Sequence, residues 1–162
     1  MTPCLLIFIK MSCPYTYWFR VSTRFGRRFL IYWVKKWLVA IVDDDLDIVN
    51  LFKDSLVGIK GIIVFTFTDP TIALEHFICN KSEYLLIISD LRMPRLNGLE
   101  FLKKIKTTNP KVQTLLMTAF ELNDPVFEQY KKTGIINDFL QRPIVLMISV
   151  QLLRSISICI RI

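Results

Sequence analysis

Histidine occurs once in these 162 residues, as His76, and the four cysteines, Cys4, Cys13, Cys79 and Cys159, form no Cys-x-x-Cys pair. A zinc site therefore has no ligand set, and the cysteines read as reduced thiols of a cytosolic protein. No apolar run reaches the ~20 residues of a membrane-spanning helix. A secretory leader fits poorly as well. The stretch Cys4 to Ile9 is short, no base precedes it and no small-residue cleavage site follows, so the expected compartment is the cytoplasm. Acidic residues are missing from positions 1–37, which carry Lys10, Arg20, Arg24, Arg27, Arg28, Lys35 and Lys36. The net charge of +7 belongs to that stretch alone, because all 14 acids lie in 38–162, matched by as many bases. The remainder of the chain has no nucleic-acid footprint of its own, and direct nucleic-acid binding is not expected. Internal repeats and low-complexity linkers are also absent.

A composition of 52% hydrophobic and 22% charged residues suits one compact domain with an ordinary core. From Trp37 onward, apolar runs of strand length alternate with amphipathic stretches of helix length, the pattern of βα units around a parallel sheet. Strands are expected over 38–42, 61–67, 84–89, 112–117 and 135–140. The run Tyr84 to Ser89 is continuously apolar, as in a strand covered on both faces. Helices follow with inward positions Ile48, Phe52 and Leu56, then Ile72, Leu74 and Phe77, then Leu99, Leu102 and Ile105. Asp69-Pro70 and Asp124-Pro125 read as helix starts, and Gly134 as a helix stop. A last helix is expected from Pro143, although residues 155–162 alternate polar and apolar in the manner of a strand.

Acidic or hydroxyl residues stand where several of these runs end: Asp43-Asp44-Asp45, Asp90 and Thr118. In a parallel α/β sheet the carboxyl ends of the strands share one edge, where ligands bind, so these residues are expected to converge. Clustered carboxylates imply a hard divalent cation with oxygen ligands, and Mg²⁺ is the one expected. A hydroxyl at Thr118 and a cation at Arg142 would then complete a site able to bind a phosphoryl group on a carboxylate.

The motifs Val39-Ala40-Ile41-Val42-Asp43-Asp44-Asp45, Ile87-Ile88-Ser89-Asp90-Leu91-Arg92-Met93-Pro94, Asn97-Gly98, Leu116-Met117-Thr118-Ala119 and Asp138-Phe139-Leu140-Gln141-Arg142-Pro143 resemble the receiver domain of two-component response regulators. Asp90 stands 46 residues after Asp44 and 28 before Thr118. The resemblance covers about 38–160. It implies a single-domain, CheY-like (βα)5 fold, with a doubly wound, flavodoxin-like parallel sheet of order 2-1-3-4-5. It further implies that Asp90 is the phosphoacceptor, taking its group from a sensor histidine kinase or a phosphotransfer protein. Asp44, Asp90 and the backbone carbonyl of Arg92 would ligate Mg²⁺, with Asp43 acting mainly through water. Thr118 would follow the phosphoryl group inward, Phe139 would change exposure with it, and Arg92 and Phe120 would flank the path of attacking water. Arg142 stands where the family has lysine, and its planar fork is not equivalent to an ammonium.

The expected organisation is a basic, aromatic extension over 1–37, disordered or without function, and a receiver over 38–162. The extension could alternatively be an anchor to a membrane surface or an anionic polymer. The apolar C-terminal helix could serve a homodimer. A DNA-binding helix-turn-helix is not expected to fit, so output would pass through an unidentified downstream protein or along a phosphoryl relay. The leading function is a phosphoacceptor module showing only stoichiometric self-phosphorylation and slow self-dephosphorylation, not turnover of a substrate. One alternative is a receiver-like scaffold that is never phosphorylated. The other is an aspartate-nucleophile phosphatase of the haloacid-dehalogenase type, with Asp45 of Asp45-Leu46-Asp47-Ile48-Val49 as nucleophile.

Overall fold

A computed structural model describes residues 17–20, 31–34, 36–118 and 125–141. The chain divides into two units, Met1–Lys36 and Trp37–Ile162. In the first, β1 (Tyr17–Arg20) and β2 (Ile31–Val34) pair antiparallel. The expectation of an extension without regular structure did not include this ribbon.

In the second unit the described elements are β3 (Trp37–Val42), α1 (Leu46–Leu56), β4 (Ile62–Phe67), α2 (Pro70–Asn80), β5 (Tyr84–Asp90), α3 (Gly98–Thr108), β6 (Gln113–Thr118), α4 (Pro125–Lys132) and β7 (Asp138–Gln141). The sheet has the order β4-β3-β5-β6-β7, and every pairing in it is parallel. Counted within the domain this is 2-1-3-4-5, the flavodoxin-like order. The helix expected from Pro143 and the alternating tail lie outside the described residues.

The central strands β3 and β5 are buried almost end to end, as continuous apolar runs require when helices cover both faces. On one face Val39, Ile41, Leu86, Ile88, Leu115, Met117 and Leu140 pack with Val49, Phe52 and Leu56 of α1. Each such side chain removed from water contributes roughly 1.5–3 kcal/mol. The alternate residues of the strands point the other way, and Leu116 among them lies against the start of α3, so the sheet is wound on both faces.

Local chemistry sets the helix starts. Asp45, Asp69 and Asn97 are N-caps whose side chains accept from the amides of Asp47, Thr71 and Glu100, and Pro70 follows Asp69 at the first helical position. Gly134, at φ +72°, ends α4 by donating its amide to the carbonyl of Lys131. The inward face of α2 differs from expectation. Ala73 and Phe77 are buried while Ile72 is 56% exposed, because residues four apart share one face of a helix and Ile72, five before Phe77, lies off it. β7 also starts later than expected, at Asp138, since Asn137 is held by Thr114 and Lys106 before the strand begins.

Candidate functional site

β3 and β5 lie side by side at the centre of the sheet, with Val42 opposite Ser89. Their carboxyl ends therefore coincide, and the residues that follow them meet. Asp43 continues the ladder by donating its amide to the carbonyl of Phe67 at 3.1 Å. Asp90 is the last residue of β5. The result is a cluster in which carboxylate oxygens of Asp43, Asp44 and Asp90 all lie within 4.8 Å of one another. Asp43 is 1% exposed and Asp90 8%, whereas Asp44 faces solvent.

Backbone donors orient the two buried carboxylates. The Asp45 amide donates to Asp43 Oδ1 at 2.9 Å, and the Arg92 amide donates to Asp90 Oδ2 at 2.8 Å. Three acids this close repel one another, and burial adds a desolvation cost to each charge. A hard dication resolves both, and the donor set fits Mg²⁺: it consists of carboxylate oxygens, two held by strands and one left open to water. Asp43, Asp44 and Asp90 are the residues that would hold the ion.

Thr118 ends β6 beside them and is 1% exposed; its neighbour Met117 pairs with Asp90. Phe139 of β7 is buried opposite Leu116, with the Lys131 ammonium 6.0 Å from its ring centre. The expected residues Asp43, Asp44, Asp90 and Thr118 thus occupy one edge of the sheet. Phe139 belongs to the strand flanking it. Arg92 is exposed in the loop after Asp90. Arg142 and Phe120 lie outside the described residues.

The loop from Asp90 to Asn97 is fixed at both ends. Leu91 donates its amide to Met117 and accepts from the amide of Gly98, at 3.0 Å each. A Cβ at Gly98 would overlap the carbonyl oxygen of Asp90 and lie 2.9 Å from its carbonyl carbon, which agrees with reading Gly98 as a backbone requirement. Midway, Arg95 adopts φ +68° and pairs with the Asp69 carboxylate. Sequence reasoning missed that pair, because residues so far apart leave no local signal. The Asp69 carboxyl is held below its usual value by the Thr71 hydroxyl first, then the Thr71 amide, with Arg95 adding a smaller effect.

Asp45 stands outside the cluster. It is exposed, and its side chain caps α1 by accepting from the Asp47 amide at 2.9 Å. A nucleophile there would have to leave the helix cap, so the phosphatase reading finds no support in this geometry.

A family model described as the response regulator receiver domain matches residues 39–151. The chain is 32% identical over 110 residues to the DNA-binding transcriptional regulator NtrC of Escherichia coli K12, covering 68% of this chain and 22% of that protein. It is likewise 32% identical over 106 residues to the transcriptional regulatory protein ZraR of Klebsiella oxytoca, covering 65% of this chain and 23% of that one. The chain therefore spans under a quarter of the length of these relatives. Among solved structures it resembles the chemotaxis protein CheY4 of Vibrio cholerae, with 25% identity and a TM-score of 0.62 over 76% of this chain and 98% of that one. A receiver domain from Clostridium thermocellum, 24% identical, matches with a TM-score of 0.65 over 77% and 94%.

Proposed function

The chain belongs to the response regulator receiver family, and from that premise we propose that it is a phosphoacceptor module charged at Asp90 by a histidine kinase or a phosphotransfer protein. The observation that carries this reading is the convergence of Asp43, Asp44 and Asp90 at one strand edge, with buried Thr118 ending the next strand.

In the transfer, an Asp90 carboxylate oxygen attacks phosphorus as the bond from phosphorus to the donor's imidazole nitrogen breaks, and the imidazole leaves. The product is an acyl phosphate on Asp90. A bound Mg²⁺ would neutralise charge on the phosphoryl oxygens and on the acid cluster. The chain's own residues supply position. The Arg92 amide holds one Asp90 oxygen at 2.8 Å, which orients the carboxylate. Asp43, buried and tied to the Asp45 amide, places a second carboxylate beside it. Thr118 supplies a hydroxyl to a phosphoryl oxygen, and Arg142, outside the described residues, is the cation assigned to another.

The same proposal includes a switch. In this reading Thr118 follows the phosphoryl group inward, and Phe139 on the neighbouring strand, buried in this structure, changes exposure with it. Binding of a downstream protein to this face reads out the change, a two-state equilibrium biased by one charged group.

The test is chemical. Protein exposed to acetyl phosphate and Mg²⁺ should acquire a phosphoryl group that hydroxylamine removes, as it removes acyl phosphates, and Asp90→Asn should abolish it. A hydroxylamine-resistant label, or one that survives in Asp90→Asn, would refute the assignment.

A further inference from the structure

The loop that leads from Asp90 to α3 is tied at its crown to a distant helix, by a pair that the phosphoacceptor reading leaves without a task. At its base the loop closes on itself, with the Gly98 amide donating to the Leu91 carbonyl at 3.0 Å. Within it the Arg92 amide holds Asp90 Oδ2 at 2.8 Å, the Leu96 amide donates to the Pro94 carbonyl at 2.8 Å, and Met93 and Leu96 are buried. Between Pro94 and Leu96 stands Arg95 at φ +68°, and among the described residues no other non-glycine residue has a positive φ. An L side chain adopts that region at a cost that glycine does not bear. Such strain persists where other contacts hold it in place. The contact here is Asp69, 26 residues away, whose Oδ2 accepts from Arg95 Nη1.

Asp69 is already ordered for that partner. Its Oδ1 accepts from the Thr71 amide at 2.8 Å and from the Thr71 hydroxyl at 2.6 Å, which fixes the carboxylate as the cap of α2 and leaves Oδ2 to Arg95. An exposed ion pair ordinarily contributes little, because two mobile side chains must be ordered to make it. Only Arg95 carries that cost here. Its side chain is 69% exposed and that of Asp69 22%, so the pair stays open to screening by salt. Topology gives the pair its leverage. Asp69 follows β4 and Arg95 follows β5, the two neighbours of β3 in the sheet, and β3 runs out into Asp43 and Asp44. The pair therefore joins the elements on either side of the acid cluster.

We propose that Arg95 and Asp69 form a latch that positions Asp90. By pinning the crown of the loop to the start of α2, the pair keeps the Arg92 amide on Asp90 Oδ2 and the carboxylate aligned. Arg95 and Asp69 are positioning residues that act through Arg92. The effect on transfer rests on the phosphoacceptor reading, whereas the latch itself does not.

The experiment is a double-mutant cycle on the full chain, with Asp69→Asn, Arg95→Met and the two combined. Asparagine caps a helix about as well as aspartate, and methionine keeps a long unbranched side chain at the same φ, so each single variant removes charge while thermal unfolding confirms the fold. One readout is hydrogen exchange of the Arg92 amide, which reports opening of the loop with no phosphoryl donor present. The other is the maximal rate of Asp90 labelling by acetyl phosphate at saturating Mg²⁺. Each single variant should speed exchange and slow labelling by about two- to fivefold, the span of an exposed pair's coupling, with the half-saturating acetyl phosphate concentration unchanged. The double variant should do no more than either single one. Arg95→Lys, which keeps the charge for a contact made through one nitrogen, should recover most of the loss. The gap between parent and variants should close as salt shortens the Debye length from about 10 Å at 0.1 M to about 3 Å at 1 M. Effects that add in the double variant, or Arg92 exchange equal to the parent's in either single variant, would overturn the latch. So would a raised half-saturating concentration in Arg95→Met alone, the mark of a guanidinium that meets the donor itself. If the variants speed Arg92 exchange while the parent takes no label on Asp90, the latch stands and the phosphoacceptor reading falls.

Discussion

Gly98 abuts the backbone of Asp90 so closely that a Cβ at 98 would overlap the Asp90 carbonyl oxygen. The start of α3 is thereby locked to the residue that carries the central carboxylate. Gly98→Ala should destabilise the fold by about 1–3 kcal/mol, the usual range for forcing an atom into packed space. It should also displace Asp90 and slow phosphorylation. Denaturant unfolding checks the first effect and the initial rate of labelling the second. Gly58→Ala, with nothing within 4 Å but φ +92°, should cost only backbone strain and leave labelling unchanged.

Asp44 and Asp45 are neighbours with different tasks. Asp44→Asn should weaken Mg²⁺ binding by about tenfold to a hundredfold or more, since even groups that merely support a metal ligand have effects of that size. Asp45→Ala should remove the cap of α1, cost about 1 kcal/mol, and leave Mg²⁺ affinity near that of the parent. Titration calorimetry with Mg²⁺ and chemical denaturation of both variants separate the two roles. Equal losses of metal affinity would contradict the division.

His76 on α2 is hydrogen-bonded through Nδ1 to the Tyr84 hydroxyl at 2.7 Å and lies against Phe65. Partial burial lowers its pKa from 6.5. Because the folded value lies below the unfolded one, the unfolded chain binds more protons between the two values. Stability should therefore fall as pH drops from 6.5 through the folded value. His76→Gln should flatten that part of the profile. As the sole histidine, its ring resonances give the folded pKa directly by NMR, and a value above 6.5 would refute the sign.

At the opposite edge of the sheet, Asn137 Oδ1 accepts from the Thr114 amide at 2.9 Å, from Thr114 Oγ1 at 3.0 Å and from Lys106 Nζ at 2.8 Å. Asn137→Ala would strip three donors of one acceptor around fully buried Thr114. A loss of about 1–3 kcal/mol is expected, while labelling at Asp90 should persist because the network is remote from it. A fall in stability below 0.5 kcal/mol, roughly the minimum for a single net hydrogen bond, would contradict this account.

Strand existence and order were legible because each apolar run is bounded by charge or turn residues and each interval has helix length. The convergence of Asp43, Asp44 and Asp90 followed from one topological rule about strand ends. Side-chain phase was less legible: Ala73 and Phe77, four apart, share the inward face of α2 and leave the more apolar Ile72 outside it. The Asp69 and Arg95 pair, the Asn137 network and the β1–β2 ribbon depend on distant residues meeting. For the ribbon, the ten residues between Arg20 and Ile31 contain no short Asn-Gly or Asp-Gly turn to mark a hairpin.

The central claim is phosphoryl acceptance at Asp90 supported by the acid cluster. Intact-protein mass after incubation with acetyl phosphate tests it most directly, with and without Mg²⁺ and beside Asp90→Ala. The account predicts a gain of a single phosphoryl group that requires both the metal and Asp90. A folded parent protein that gains nothing, or an Asp90→Ala variant that gains the same mass, would contradict it.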